Sequence, residues 1–158
     1  DNRLNMIHEG THGIQAMDLL GRKVLMENGR GLQLLAGRVN ATIERAIQQP
    51  TLAPHANALA KALARIGAVT KAAWATGNPS EALANAVPYM QAFGHVVIAW
   101  TWLDLALAVD ASKDEAHRAG IAGAVAYFYQ YELPRIDAWL GVVESRDMTC
   151  ANMPEAAF

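Results

Sequence analysis

The sequence predicts an all-α chain: an antiparallel four-helix bundle preceded by one helix that belongs to a larger helical domain. Three observations support this fold class. Alanine, the strongest helix former, occurs 31 times among the 158 residues. Apolar residues recur at spacings of three and four along segments that lack Gly-Pro turn signals. No stretch alternates apolar and polar residues between turn signals, so we predict no strand.

The first predicted helix runs from about Gly13 to Met26 and ends at the Asn28-Gly29 pair, a strong turn signal. Its apolar residues fall on one stripe, which should face a partner. The stripe consists of Ile14, Met17, Leu20 and Val24. Residues 1–12 are expected to be irregular or a short helical end.

Four further helices are predicted, and turns that contain proline or glycine precede the first three of them. They run from about Leu32 to Gln48, from His55 to Thr76, from Ser80 to Asp110, and from a cap at Ser112 to beyond Val143. Ser112 has a glutamate three residues later, which is the spacing of a capping box. Pro88 and Pro134 lie inside the last two helices, so we predict a kink or break near Ala84 and a kink near Gln130.

Short connections between long amphipathic helices favour an antiparallel bundle, which helices two to five would form. The first helix would then be an outlier or a bridge to something absent, so we divide the chain into residues 1–27 and residues 28–158, with the four-helix bundle in the second part. The tail from Met148 to Phe158 mixes polar and apolar residues and should lie over the surface.

Composition excludes several classes of function. Thirteen basic and fifteen acidic residues are spread along the chain, so no basic patch marks a nucleic-acid partner. The longest apolar stretch, Val96–Val109, contains Asp104 and is too short to span a membrane. Cys150 has no partner for an internal disulfide, and no secretory leader opens the chain. We expect a cytoplasmic protein.

One segment near the start has chemical specificity. Residues His8–His12 satisfy H-E-x-x-H, in which two imidazoles bind zinc and the glutamate acts as general base. Gly10 between the histidines lowers helix stability by roughly 1 kcal/mol relative to alanine. Glu27 and Glu44 could supply a third ligand, but neither lies in a second recognisable motif. A zinc peptidase is therefore an alternative. The interpretation that we prefer, given next, assigns no metal site to the chain.

A longer pattern contains the same residues. Residues 7–23 read I-H-E-G-T-H-G-I-Q-A-M-D-L-L-G-R-K. This segment resembles the C-terminal signature of acyl-CoA dehydrogenases, in the branch with an extra C-terminal helical domain that includes 3-methylmercaptopropionyl-CoA dehydrogenases. Members of that branch read I-Y-E-G-T-N-G-I-Q-A-L-D-L-V-G-R-K or nearly so. Asp1–Leu4 is similar to the D-x-R-I that often precedes it, and Tyr131–Arg135 resembles the tail of that branch.

The resemblance implies a catalytic role for Glu9 as the base that removes the α-proton of an acyl-CoA thioester. The β-hydrogen then leaves as hydride to FAD, and the product is the 2-enoyl-CoA. Gly10 would lie against the acyl-thioester, where a side chain would obstruct. The positions that match FAD contacts in the family are Thr11, His12, Gly13 and Gln15. This sequence departs from the family pattern at His8, which replaces tyrosine, and at His12.

The resemblance also implies partners. The parent enzyme would bind FAD, an acyl-CoA substrate and an electron acceptor, and we expect a homo-oligomer. The family holds FAD mainly through an N-terminal helical domain and a middle β-domain, which residues 1–158 do not include. We therefore expect the isolated chain to bind no cofactor and to be inactive. A non-catalytic helical interaction module is the remaining alternative.

Other polar and aromatic residues are interpreted as structural. We expect Asp104 and His95 to be satisfied by neighbouring helices or by solvent. Glu132 should pair with Arg135 or bond a backbone group that the Pro134 kink frees. The four tryptophans are expected in core or inter-helix packing. The side chains expected to face solvent are His55, His117, Lys61, Arg65 and Lys71.

Overall fold

The structure is a computed structural model that describes residues 10–109 and 114–157. Within these ranges the regular elements are all helical, which confirms the predicted fold class. The α-helices are α1 (His12–Asp18), α2 (Met26–Ala46), α3 (Ala53–Ala73), α4 (Pro79–Leu83), α5 (Ala86–Ala108), α6 (Glu115–Tyr127) and α7 (Ile136–Ser145). One π-helical turn, Leu19–Lys23, continues α1, and another, Phe128–Glu132, continues α6. Short 3-10 turns follow at Leu133–Arg135 and Glu155–Ala157.

Four long helical segments form the bundle: α2, α3, α5, and α6 with α7. Hydrogen bonds between α5 and the last segment fix their relative direction. The Tyr129 hydroxyl donates to the carbonyl of Ala99 at 2.9 Å, and the Asn85 side chain donates to the carbonyl of Asp147 at 2.8 Å. The higher-numbered residue on α5 contacts the lower-numbered residue on the other segment, and the reverse also holds. The two segments are therefore antiparallel.

A buried hydroxyl pair joins α3 and α5. Thr70 and Tyr89 approach to 2.7 Å between their hydroxyl oxygens, and the Thr70 hydroxyl also lies 2.7 Å from the carbonyl of Ile66. Burial raises the pKa of Tyr89 to about 12, so the phenol stays protonated near neutral pH. The pair satisfies two polar groups inside an otherwise apolar core.

Helix α5 lies at the centre and buries a face rich in small residues. Its buried residues are Ala86, Tyr89, Ala92, Val96, Ala99 and Leu103. The sequence predicted a different inward set. That set was Leu83, Val87, Met90, Val97 and Trp100, of which Val87 is exposed and the others are half-buried. The prediction was wrong because α5 carries apolar residues on every side, so periodicity does not identify its inner face.

The first helix also buries a set of residues that differs from the predicted stripe. Ala16, Leu20 and Val24 are buried against the bundle, whereas Ile14 and Met17 are exposed. The predicted stripe assumed a regular α-helix, but the π-helical turn at residues 19–23 changes the rotation per residue. Gly21 lies in that turn. A Cβ atom there would approach the Leu83 side chain to 3.3 Å, so glycine permits close packing on α4.

A left-handed turn inside the first part of α2 separates the first helix from the right-handed part of α2, which follows Gly29. Glu27, Asn28 and Gly29 have φ angles of 50°, 57° and 80°. The Asn28-Gly29 pair therefore interrupts the right-handed helix as predicted. Left-handed backbone strains residues other than glycine by roughly 1–2 kcal/mol each. Arg30 pairs with Glu27 at 3.2 Å, and Gln33 donates to the carbonyl of Asn28, which helps to hold the turn.

The regular α-helix is interrupted near both prolines, where the sequence predicted a kink or a break. The fourth predicted helix breaks at Ala84 and Asn85, and Pro88 lies in the first turn of α5, where a missing N–H costs nothing. The fifth predicted helix becomes π-helical at residues 128–132, just before Pro134, and then forms a 3-10 turn at residues 133–135.

The N-cap of the fifth predicted helix is Asp114 and not Ser112, which the sequence predicted. Ser112 lies outside the described residues, but the helix begins at Glu115 with Asp114 as its N-cap. The Asp114 side chain accepts a hydrogen bond of 2.7 Å from the His117 backbone N–H. The described part of the predicted tail, Met148 to Ala157, is largely exposed, as predicted. Among the helices that the structure describes, none combines the length and apolarity that crossing a membrane requires.

Candidate functional site

The predicted site residues with described positions surround the beginning of α1. Gly10 is exposed and has a φ angle of +76°, which favours glycine at that position. A Cβ atom built on Gly10 or Gly13 would contact no described neighbour within 4 Å. The backbone at this end of α1 is therefore open to approach from outside the bundle. His8 and Glu9 lie outside the described residues, and Glu9 stays a prediction.

Thr11 and Gln15 are brought together by one helical turn. The Gln15 backbone N–H donates to the Thr11 carbonyl at 3.0 Å, and its side-chain amide donates to the Thr11 hydroxyl at 3.2 Å. Thr11 is the N-cap of α1, but its side chain does not cap the helix. The first N–H groups of α1 therefore lack a side-chain acceptor at this cap. His12 begins the helix and is exposed.

The bundle holds this helix by its opposite side. Ala16 and Leu20 are fully buried, and the Trp74 indole N–H donates to the Leu20 carbonyl at 3.2 Å. The Val24 N–H bonds the Leu19 carbonyl five residues back, which is the π-helical pattern. Trp74 at the end of α3 thus connects the segment that carries the predicted site to the bundle.

A second polar cluster lies between α2 and α5 and has a structural role. Asp104 accepts hydrogen bonds from Arg45 and Thr42, and the Trp100 indole N–H donates to the Thr42 hydroxyl at 2.8 Å. The prediction that a neighbouring helix satisfies Asp104 is confirmed. The four tryptophans are half-buried, and all pack against the core as predicted.

His95 is also held by its neighbours. Its Nδ1 atom lies 3.0 Å from the Gln91 carbonyl, and its ring packs edge-on against Trp139 with 4.7 Å between ring centroids. Its Nε2 atom lies 3.6 Å from a Glu132 oxygen. Glu132 pairs with Arg135 at 3.2 Å, which confirms the predicted partner.

Two predictions of solvent exposure were wrong. His55 is half-buried, with its ring centroid 4.7 Å from that of Tyr129, and burial lowers its pKa. Arg65 donates two hydrogen bonds to Glu144, at 2.9 and 2.7 Å, and so joins α3 to α7. His117, Lys61 and Lys71 are exposed as predicted. Long-range pairing across a bundle leaves no local pattern, which is why the sequence missed both partners.

Sequence reasoning also missed an open hollow beside His55. It has a volume of about 600 Å³ and is bounded by aromatic side chains of the π-helical segment. Tyr127 and Tyr131 stack with ring centroids 5.1 Å apart, and both are exposed. The alternating tyrosines at 127, 129 and 131 are the only signal of it in the sequence. The hollow lies on the bundle and includes none of the predicted site residues.

The zinc alternative depends on His8 and Glu9, which are outside the described residues, and on His12, which is exposed. Across residues 10–109 and 114–157, no group of three or more His, Cys, Asp or Glu side chains comes together as a metal site.

Comparison with known proteins places the chain in a family. Residues 35–154 match the model for the family described as acetyl-CoA dehydrogenase C-terminal like. The chain is similar to a 3-methylmercaptopropionyl-CoA dehydrogenase of Ruegeria pomeroyi, with 35% identity over 125 residues that cover 77% of this chain and 21% of the relative. It is also similar to the broad-specificity linear acyl-CoA dehydrogenase FadE5 of Mycobacterium tuberculosis.

That second similarity has 26% identity over 173 aligned positions and covers 100% of this chain and 28% of the relative. The chain therefore spans between a fifth and a third of the length of the curated relatives it matches. Both relatives are acyl-CoA dehydrogenases, as the resemblance of residues 7–23 predicted. The family model covers more than half of the chain, so the chain belongs to the acetyl-CoA dehydrogenase C-terminal-like family.

Proposed function

We propose that this chain is the C-terminal part of a flavin-dependent acyl-CoA dehydrogenase that oxidises an acyl-CoA thioester to the 2-enoyl-CoA. The observation that carries the proposal is the order of two independent features along the chain. An E-G-T sequence at residues 9–11 precedes, with residues 12–34 between them, a region at residues 35–154 that matches a family of dehydrogenase C-terminal domains. Similarity to two acyl-CoA dehydrogenases supports the same reaction class.

Residues 1–27 are proposed to end the catalytic helical domain, and residues 28–158 to form the appended bundle. The left-handed turn at Glu27–Gly29 supports a boundary at this position because it interrupts the helix there. The family match begins shortly afterwards, at residue 35. The two parts are nevertheless packed together, since Ala16 and Leu20 belong to the same buried cluster as the bundle residues.

Glu9 is the proposed general base. A thioester α-proton is weakly acidic, so the carboxylate must be held within hydrogen-bond reach of that carbon and shielded from water. Gly10 follows it with a positive φ angle and open space around its Cα, which would let an acyl-thioester approach the backbone closely. The proton passes from the α-carbon to a Glu9 carboxylate oxygen.

The residues at the start of α1 fit a flavin dinucleotide partner. Thr11, His12 and Gln15 offer hydrogen-bonding side chains, and the uncapped N–H groups of the first turn favour electronegative oxygens. Gly13 leaves the same face open. FAD, when bound, accepts the β-hydrogen as hydride. Thr11 and Gln15 would orient the part of FAD that faces the start of α1. The hydrogen bond between these two side chains would hold them in place before FAD binds.

The remaining partners follow from the same proposal. The parent enzyme would take an acyl-CoA substrate, pass electrons to an acceptor, and assemble as a homo-oligomer. The isolated chain would be inactive and would hold no FAD, because the described residues supply only the edge of a cofactor site at the exposed start of α1.

Replacement of Glu9 by Gln in the full-length parent tests the base assignment. The amide keeps the shape of the side chain but cannot accept the proton, so we expect turnover to fall by about 10²–10⁴-fold with acyl-CoA. Flavin content and thermal stability should stay unchanged. Glu27→Gln is the matched control because Glu27 is exposed and lies outside the proposed site.

Turnover that survives Glu9→Gln would contradict the assignment. Stoichiometric zinc that is lost on His12→Ala would instead favour the peptidase alternative.

A further inference from the structure

The open hollow beside His55 lies between the first turns of α3 and the end of α6. Helix α7 is joined to α3 by the Arg65–Glu144 pair, whereas α6 packs mainly on α5 and buries Val125. The π-helical and 3-10 turns at residues 128–135 separate α6 from α7. The last long segment of the bundle therefore packs on α3 along α7 and leaves a space of about 600 Å³ along α6.

Two pairs of aromatic rings border this hollow. The inner pair is the buried Tyr129 and the half-buried His55, with 4.7 Å between ring centroids. The Tyr129 hydroxyl donates to the Ala99 carbonyl, so its proton is already used within the bundle. The outer pair is Tyr127 and Tyr131, whose rings stack at 5.1 Å with 27° between their planes. The exposed outer pair thus offers a nearly flat aromatic surface.

A polar cluster restrains one ring of the outer pair. The Tyr127 hydroxyl donates to a Glu132 oxygen at 3.5 Å, and Glu132 also pairs with Arg135 at 3.2 Å. The Nε2 atom of His95 on α5 lies 3.6 Å from the same carboxylate. The aromatic surface is therefore held in place before any ligand arrives, which lowers the entropic cost of binding.

The lining of the hollow is uncharged. It contains no Lys, Arg, Asp or Glu among the described residues, and His55 is neutral near pH 7 because burial lowers its pKa. A charged ligand would lose hydration here without gaining an ion pair. The His55 ring nitrogens and the Gln130 amide face no hydrogen-bond partner within residues 10–109 and 114–157. They are free to bond a neutral polar group.

We propose that this hollow binds an uncharged planar aromatic compound, with its ring on the Tyr127–Tyr131 surface and a polar group on its edge bonded to His55 or Gln130. Small-molecule sites usually enclose about 300–1,000 Å³ and combine aromatic walls with a few polar groups. Aromatic rings attract one another when they are offset or edge-on, and π-helical turns recur at functional sites. This site goes beyond the proposed dehydrogenation, because it shares no residue with residues 9–15.

Indole is the probe, since it is neutral, planar and carries one N–H donor. Titrated into the isotope-labelled chain, it should produce saturable NMR shifts at the amides of residues 55–58 and 123–131. Gly123→Leu should abolish these shifts, because Gly123 lines the hollow and a Cβ atom there meets nothing within 4 Å. The leucine side chain has room and would fill the space. Gly120→Leu is the matched control, since Gly120 is equally open on α6 but does not line the hollow.

A second pair of variants separates stacking from simple filling. Tyr131→Leu removes one ring of the exposed outer pair and should weaken indole binding by about 2–10-fold. Tyr131→Phe keeps the ring and should preserve the affinity. Indole-3-carboxylate, which carries a charge on the same ring system, should bind more weakly than indole, and so should the non-aromatic cyclohexanol.

Several results would overturn the proposal. They are the absence of saturable shifts at these amides, equal effects of Gly123→Leu and Gly120→Leu, and binding of indole-3-carboxylate or cyclohexanol as tight as that of indole. A full-length parent in which Gly123→Leu leaves indole binding unchanged in equilibrium dialysis would also overturn it, because another part of the protein would then fill the hollow. Failure of the reaction assignment is seen separately, since Glu9→Gln changes turnover and leaves indole binding unchanged.

Discussion

The centre of the bundle and the N-terminal segment use apolar residues differently. Leu103 on α5 is fully buried because helices surround α5 on several sides. Leu34 in the first half of α2 is 62% exposed, although it is also a leucine within a helix. Side-chain chemistry is the same in both places, so the difference lies in what packs against each helix. The packing of the surrounding helices, and not the apolar character of the side chain alone, decides which of these leucines is buried.

The strongest way to sharpen this comparison is to make one substitution in both regions. Leu103→Ala should lower the free energy of unfolding of the isolated chain by about 3 kcal/mol, because it removes apolar burial and leaves a cavity. Leu34→Ala should change it by no more than about 0.5 kcal/mol. Urea unfolding followed by circular dichroism measures both. Similar losses for the two variants would contradict the contrast in burial.

An intermediate effect is expected at the junction of the two regions. Trp74→Phe keeps an aromatic ring but removes the hydrogen bond to the Leu20 carbonyl, a loss of about 1 kcal/mol. Hydrogen exchange should show weaker protection at residues 16–24 and little change in α5. Trp102→Phe is the control, since no hydrogen bond of the Trp102 indole N–H is described. Unchanged exchange at residues 16–24 would show that Trp74 does not hold the segment.

The smallest effect concerns two ion pairs in acid. Hydrogen bonds from Arg65 lower the pKa of Glu144, and those from Arg22 lower the pKa of Asp18. A carboxyl whose pKa is lower in the folded chain stabilises the fold above its ordinary value and loses that effect as pH falls through the folded value. The stability that these two carboxylates contribute should therefore be lost below about pH 4.

The two pairs should respond differently because Arg65 and Glu144 join α3 to α7, whereas Asp18 and Arg22 lie on one helical segment. Glu144→Gln should flatten the acid dependence of global unfolding slightly. Asp18→Asn should alter only the helicity of the N-terminal segment. The urea concentration at the midpoint of unfolding, measured at pH 7 and at pH 3, tests this difference between the two pairs. Equal changes for the two variants would contradict the prediction.

Most of the architecture could be predicted from the sequence because its signals are local. Alanine content, the turn signal at Asn28-Gly29 and the two internal prolines indicated which segments are helical and where those helices are interrupted. Helix faces were harder. On α5 every face is apolar, and on α1 the π-helical turn shifts the register, so the inward residues could not be read from spacing.

The candidate site was predicted by likeness to a family and only partly from the residues themselves. Thr11 and Gln15 do lie together at the start of α1, as residues four apart on a helix must. The partners of Arg65 and His55 come from helices distant in sequence, so no local pattern indicates them. Glu9 lies outside the described residues, and its role stays a prediction that mutation of the parent can test.

The left-handed turn at Glu27–Gly29 has a consequence for folding order. Helix formation is cooperative because each new residue adds to an existing right-handed turn. Three residues of opposite hand stop that propagation from either direction, so α1 and α2 must each be nucleated separately. Local unfolding of the first helix can then proceed without fraying the second. The helices on the two sides of this turn are therefore coupled through their shared buried cluster and not through a continuous run of helical hydrogen bonds.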